Sequence, residues 1–286
     1  MCRLPINNLK IIMNKVLRLL SENRPLVMGI LNTTPDSFSD GGCFDSVDRA
    51  VKHAQLMIAE GADIIDVGGE STRPGARSVS IEDEIQRVIP VIKALRALTD
   101  VAISIDTSKP DVMKLAVEAG ADLVNDVNAL KADGALTTCA QLNVPVCIMH
   151  MQGEPRTMQQ QPKYNDVVVD VKAYLQQRIA ACEAAGIQKQ NIILDPGFGF
   201  GKTLQHNFSL LKHLGALSDL GCALLVGVSR KSMIGAVLNA EVDERLHGSL
   251  AAAILAYTRG AKIFRVHDVK PTVDALKICL AMAVAE

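Results

Sequence analysis

Glu60-Gly61-Ala62-Asp63, Ala119-Gly120-Ala121-Asp122 and Arg259-Gly260-Ala261-Lys262 repeat one phrase at three points along the chain. Each phrase follows a stretch with helical spacing and precedes a short run rich in β-branched residues. Glycine takes the left-handed conformation that closes a helix C-terminus, so the phrase marks a helix-to-strand junction built the same way each time. Outward from these junctions, strand-like runs fall at residues 26–32, 63–69, 101–107, 123–128, 145–150, 191–197, 223–229 and 262–268. Longer helical patterns lie between them, among them 46–60, 81–98, 167–184 and 246–259. Eight βα units without a linker or composition break predict an α/β fold, a single (βα)8 TIM barrel over residues 25–286, with an N-terminal extension at residues 1–24. An open doubly wound sheet is the alternative, but the glycine-rich dinucleotide fingerprint is missing after the first strand.

Composition agrees with this reading. Of 286 residues 49% are hydrophobic, yet only 3% are aromatic and Trp is absent, so the core must be built from Val, Ile, Leu, Ala and Met. A net charge of -1 with dispersed Lys and Arg gives no cationic surface for nucleic acid. No stretch is long and apolar enough to span a bilayer, and the short run at residues 10–20 is interrupted by Asn14, Lys15 and Arg18. An added strand or helix ahead of the barrel is expected there. The seven cysteines, without CxxC spacing, read as reduced thiols of a cytoplasmic protein.

In such barrels chemistry gathers at the C-terminal ends of the strands. Those ends carry Asn32, then Glu70 with Thr72 and Arg73, Asp106, Asn125, His150, Asp195, Ser229 with Lys231, and Arg265 with His267. Alternation along a strand places Ser104 with Asp106, Ser229 with Lys231, and Arg265 with His267 on shared faces. Polar residues should therefore meet at one mouth over an apolar floor. Asp66, mid-strand and inward, reads as a buried partner in that network, and His150 as a supporting residue. The Gly-Lys-Thr at residues 201–203 is not a phosphate loop, because three residues rather than four separate its first glycine, Gly197, from the Gly-Lys pair.

The segment Met28-Gly29-Ile30-Leu31-Asn32-Thr33-Thr34-Pro35-Asp36-Ser37-Phe38-Ser39-Asp40-Gly41-Gly42 strongly resembles the first signature of the dihydropteroate synthase family. Further matches follow in order at Asp66 to Gly75, Ser104 to Thr107, Val124 to Asp126, Asp195 to Lys202, Ser229 to Ser232 and Arg265-Val266-His267-Asp268. The resemblance runs from about Arg24 to the C-terminus.

It implies an enzyme, a transferase, that condenses (7,8-dihydropterin-6-yl)methyl diphosphate with p-aminobenzoate on the folate pathway. Asp195 would take the guanine-like edge of the pterin, since a carboxylate accepts both hydrogens of a ring N–H and its exocyclic amine. Carried over with it, Asp106 and Asn125 would meet other ring nitrogens, and Lys231 the pterin carbonyl side and the arylamine pocket. Arg265, His267 and Arg73 could supply the diphosphate with cations and donors, while the resemblance makes Asn32 a ligand of Mg2+. Phe200, Ser232, Thr72 and Val266 complete the expected substrate-binding set, and the loops at 33–42 and 71–77 would close over the reacting carbon. A homodimer through the last two helices is also implied. Two further readings are a methyl-folate to corrinoid methyltransferase, which has no use for the Asn32, Arg265 and His267 set, and a non-catalytic pterin-binding homologue.

Overall fold

The computed structural model describes residues 13–33, 43–71, 78–153, 158 and 161–285. Its strands are β1 (Leu26–Asn32), β2 (Ile64–Gly68), β3 (Ala102–Asp106), β4 (Leu123–Asp126), β5 (Val146–Met149), β6 (Ile192–Asp195), β7 (Ala223–Val226) and β8 (Ile263–Val266). All pair in parallel, in sequence order, and β8 pairs with β1 to close the barrel. Helix α1 (Lys15–Ser21) precedes β1. Around the outside run α2 (Cys43–Ala59), α3 (Ile81–Leu98), α4 (Pro110–Glu118), α5 (Ala135–Leu142), α6 (Val167–Ala184), α7 (Leu204–Lys212), α8 (Ser232–Leu238), α9 (Leu246–Tyr257) and α10 (Val269–Ala283).

The three repeated junctions share one geometry. Gly61, Gly120 and Gly260 sit at φ 102°, 114° and 92°. At the first, Gly61 N–H reaches Ile58 O and Ala62 N–H reaches Met57 O, and the same pair of bonds recurs at the other two. The glycine thus satisfies the last helical carbonyls and turns the chain straight into a strand.

Alternation along the short strands sorts their side chains into two cores. Outward residues such as Val27, Ile65, Ile103, Val124, Leu194 and Phe264 pack under the helices. Inward, Leu26, Met28, Ile64, Ala102, Leu123, Cys147, Ile193, Leu225 and Ile263 form an apolar floor. Two residues further along the same strands the inward side chains become Asp66, Ser104, Asn125, Asp195 and Arg265. Val16 of α1 is fully buried against the floor, with Leu19 and Leu20 beside it, so the segment ahead of β1 is a helix that seals the barrel from below. Among the described residues, no helix is long and apolar enough to cross a membrane.

Candidate functional site

The polar layer above the floor is wired together. Arg265 Nε donates to Asp66 Oδ2 at 2.6 Å and its Nη2 to Asp106 Oδ2 at 2.7 Å. Asn125 Nδ2 donates to the same Asp66 oxygen at 3.2 Å. With its amide N–H turned to Asp66, Asn125 presents its carbonyl oxygen as an acceptor. Burial opposes the Arg265 charge, but Asp66 and Asp106 outweigh it and hold that guanidinium above its ordinary pKa. Burial pushes Asp106 up to about 7 against the pull of Arg265. Asp66 is the buried partner its mid-strand position predicts. For Arg265 the structure adds that two arms of its fork already serve carboxylates, leaving the remaining N–H groups for a ligand.

Asp195 ends β6 and is 7% exposed. Its Oδ1 accepts Gly197 N–H at 2.7 Å, which fixes the carboxylate, and burial raises its pKa while that N–H and Lys231 lower it. Gly197, at φ 69°, stands where a Cβ would run into the carbonyl oxygen of His150. The loop it opens is pinned from inside by Lys202, whose Nζ donates to Gly197 O at 2.8 Å and Phe200 O at 3.0 Å and lies 2.9 Å from His150 Nδ1. Burial lowers Lys202 to about 7 and His150 to about 3. The Gly-Lys-Thr lysine thus ties down its own loop, and His150 supports it. Phe200 then lies under Lys231, whose Nζ is 4.3 Å from the ring centroid. Burial pulls Lys231 down to about 8, with Asp195 opposing.

Two strand-face expectations need correction. β7 ends at Val226 and β8 at Val266, so neither the Ser229–Lys231 pair nor His267 lies on a strand, and alternation does not apply to them. Instead Ser229 Oγ accepts His267 N–H at 3.2 Å and sits 3.1 Å from His267 Nδ1, bridging two loops. A serine oxygen can accept that N–H and still exchange a hydrogen bond with Nδ1 in either direction, so the contact holds the ring in place in both tautomers. Burial, reinforced by Arg265 and Arg230, lowers His267 to about 4, so near neutral pH it offers a neutral donor rather than a cation. Val266 packs its side chain into the outer core and can meet a ligand only through its backbone. Ser232 is the exposed first residue of α8. Asn32 closes β1 at the mouth, and Thr72 and Arg73 lie outside the described residues.

Three features escaped the sequence reading. Lys202 sits inside rather than at the surface. Lys109 Nζ bridges Glu70 and the buried Glu84, and Glu70 Oε1 accepts Val79 N–H at 3.2 Å, so the residues flanking 71–78 are tied together. Arg230 and Asp268 form a two-bond ion pair. Each joins residues distant in sequence, which no local pattern marks.

Residues 28–267 match the family model described as pterin binding enzyme. The dihydropteroate synthase of Escherichia coli strain K12 is 57% identical over 259 residues, spanning 91% of this chain and 92% of that protein. A crystal structure of Xanthomonas albilineans dihydropteroate synthase with 4-aminobenzoic acid is 51% identical, covers 92% of this chain and 95% of its own, and superposes with a TM-score of 0.88. The same enzyme in complex with 7,8-dihydropteroate is 48% identical, with the same coverage and a TM-score of 0.85. The closed eight-stranded barrel, its polar mouth and these relatives together make this chain a member of the dihydropteroate synthase family of pterin-binding enzymes.

Proposed function

We propose that the chain joins (7,8-dihydropterin-6-yl)methyl diphosphate to p-aminobenzoate, releasing 7,8-dihydropteroate and diphosphate. The observation that carries this reading is the inward polar layer, in which Asp195, Asp106 and Asn125 face one cavity mouth around Arg265. Asp195 accepts from the amidine edge of the pterin, and Asn125 offers its carbonyl oxygen to a further ring N–H. Lys231 meets the pterin carbonyl side and, with Phe200 and Ser232, forms one wall for the arylamine. His267 with its neutral ring and Arg265 with its remaining N–H groups hold the diphosphate, together with Arg73 from the segment after β2, while Thr72 beside it belongs to the substrate-binding set.

Breaking the methylene C–O bond leaves its electron pair on the departing diphosphate, and the dihydropterin ring delocalises the positive charge that develops on carbon. The arylamine nitrogen then forms the new C–N bond and gives up a proton to solvent or diphosphate. No covalent nucleophile is needed; the protein holds the ring, stabilises the leaving anion and aligns the amine.

The residues present fit Mg2+. Gly68 has no side chain, and a Cβ there would lie 3.7 Å from Asp106 Oδ2 and 3.9 Å from Asn32 Oδ1, so the glycine keeps open the space between those oxygens. Mg2+ takes few protein ligands beside phosphate and water, and one amide oxygen from Asn32 is such a ligand. When bound it would supply positive charge to the diphosphate. We also read the protein as cytoplasmic and as a homodimer through α9 and α10, where Leu255, Ile278 and Met282 are exposed.

The test is a two-substrate assay with pterin diphosphate, p-aminobenzoate and Mg2+, following dihydropteroate. Product formation supports the reading; pterin binding without turnover would make the chain a non-catalytic homologue. Methyl transfer from a methyl-folate to a corrinoid would replace it with the methyltransferase.

A further inference from the structure

Arg230 sits between two groups of the site, Ser229 and Lys231, and takes φ 56°, the left-handed region that side chains other than glycine rarely adopt. It is held there from several sides. Its N–H donates to Ser249 Oγ at 2.9 Å, and its carbonyl accepts from Arg245 Nη1 at 3.2 Å. Arg245 is braced in turn by Ala240 O, and at Gly235 any Cβ would overlap the Arg245 guanidinium. The Arg230 side chain then reaches across to the next loop, where Nε meets Asp268 Oδ2 at 2.9 Å and Nη2 meets Asp268 Oδ1 at 2.5 Å. Asp268 is the N-cap residue of α10, a position at which aspartate usually accepts from the first helical N–H groups, yet its carboxylate makes no capping bond. An unfavourable backbone and a forgone cap therefore meet at a single pair.

The pair fastens the loop that carries Ser229 and Lys231, and leads into α8 at Ser232, to the loop that carries His267. We propose that Arg230 is a positioning residue, whose fork on Asp268 sets Lys231 and His267 at the spacing that diphosphate and arylamine require. This rests on the substrate assignment above. Neither Arg230 nor Asp268 is placed against the pterin ring, which meets Asp195, Asp106 and Asn125.

The test compares wild type with Arg230→Gly, Arg230→Lys, Asp268→Asn and the Gly/Asn double variant. Glycine suits the left-handed backbone, so Arg230→Gly removes the fork while keeping the loop's conformation accessible. Three quantities are read: melting temperature, affinity for 6-hydroxymethyl-dihydropterin, and affinity for inorganic diphosphate with Mg2+ and pterin present, alongside KM for both substrates. Each single variant should weaken diphosphate binding and raise both KM values on the order of tenfold, as small misplacements of binding groups do. The double variant should be no worse than either single one, because the same two-bond pair is broken in all three. Arg230→Lys, which keeps the charge without the fork, should recover only part of the loss. Ring affinity and melting temperature should stay near wild type. Wild-type diphosphate affinity in Arg230→Gly or Asp268→Asn, additive losses in the double variant, or losses that track melting temperature would each overturn the proposal alone. A wild-type protein that binds pterin but no diphosphate would remove the substrate assignment and this inference together.

Discussion

Replacing Asp195 with Asn tests the ring-binding role with little change of shape. In the folded protein Asp195 Oδ1 already accepts Gly197 N–H, and an Asn oxygen can take over that bond. The amide nitrogen must then stand where Oδ2 stood, so a donor faces the donors of the pterin edge. The charge-assisted pair is lost and buried N–H groups go unpaired, together worth roughly 2–4 kcal/mol, or about thirtyfold to a thousandfold in Kd. The free protein should behave in the opposite sense. Burial raises the Asp195 pKa by disfavouring the charged form, so the site is best tolerated as the protonated acid below the unfolded pKa, and that stability is lost as pH rises through the folded value. Near neutral pH the neutral amide should therefore leave the melting temperature unchanged or raise it. Calorimetric titration with 6-hydroxymethyl-dihydropterin, beside thermal melts with and without it, reads both effects. Unchanged pterin affinity in a folded Asp195→Asn protein would refute the assignment.

Three other outcomes are expected. Lys231 has its pKa lowered to about 8, so if its cation serves the reaction, kcat/KM should fall on the alkaline side around that pH; Lys231→Met should reduce activity on the order of a hundredfold and abolish that limb, and a wild-type profile flat across the range would count against a cationic role. Gly197→Ala places a Cβ against the His150 carbonyl at φ 69° and should destabilise the fold by about 3 kcal/mol or more, read from the urea midpoint; a midpoint equal to wild type would show that the loop backbone can move aside. Sedimentation should give a dimer at micromolar concentration, and substituting Ile278, 73% exposed on α10, with Lys should shift it toward monomer; a monomeric wild type would remove the homodimer.

Much of this was legible in the sequence. The repeated glycine phrase and the strand-helix alternation are local signals, and β1, α3 and α6 fall on the residues expected of them. Inward polar residues two positions beyond the floor are legible too, because alternation is strict within a strand. It fails where the chain leaves the sheet. β6, β7 and β8 end two or three residues before the expected boundaries, so Ser229 and His267 meet through a hydrogen bond between loops. The neutral state of His267 and the inward course of Lys202 depend on burial and on partners such as Arg230 and His150, 37 and 52 residues away, which spacing does not encode.

The helix beneath the barrel has a consequence for assembly. The ring that receives Val16 takes one residue or more from every strand, from Leu26 of β1 to Ile263 of β8. Its rim is tied at the far end of the chain, where Lys262 Nζ donates to Arg24 O at 2.8 Å and Leu26 N–H to Lys262 O at 2.8 Å, a contact between residues 238 apart in the first case. The helix's docking ring is thus incomplete until β8 arrives, which makes sealing the base and closing the seam one late, long-range event. Until then a partly built chain carries an open apolar ring at one end and bare strand edges at β1 and the latest strand. Those are the surfaces through which unfinished copies adhere to one another, so the penalty for delayed completion falls on yield rather than on the stability of the finished enzyme.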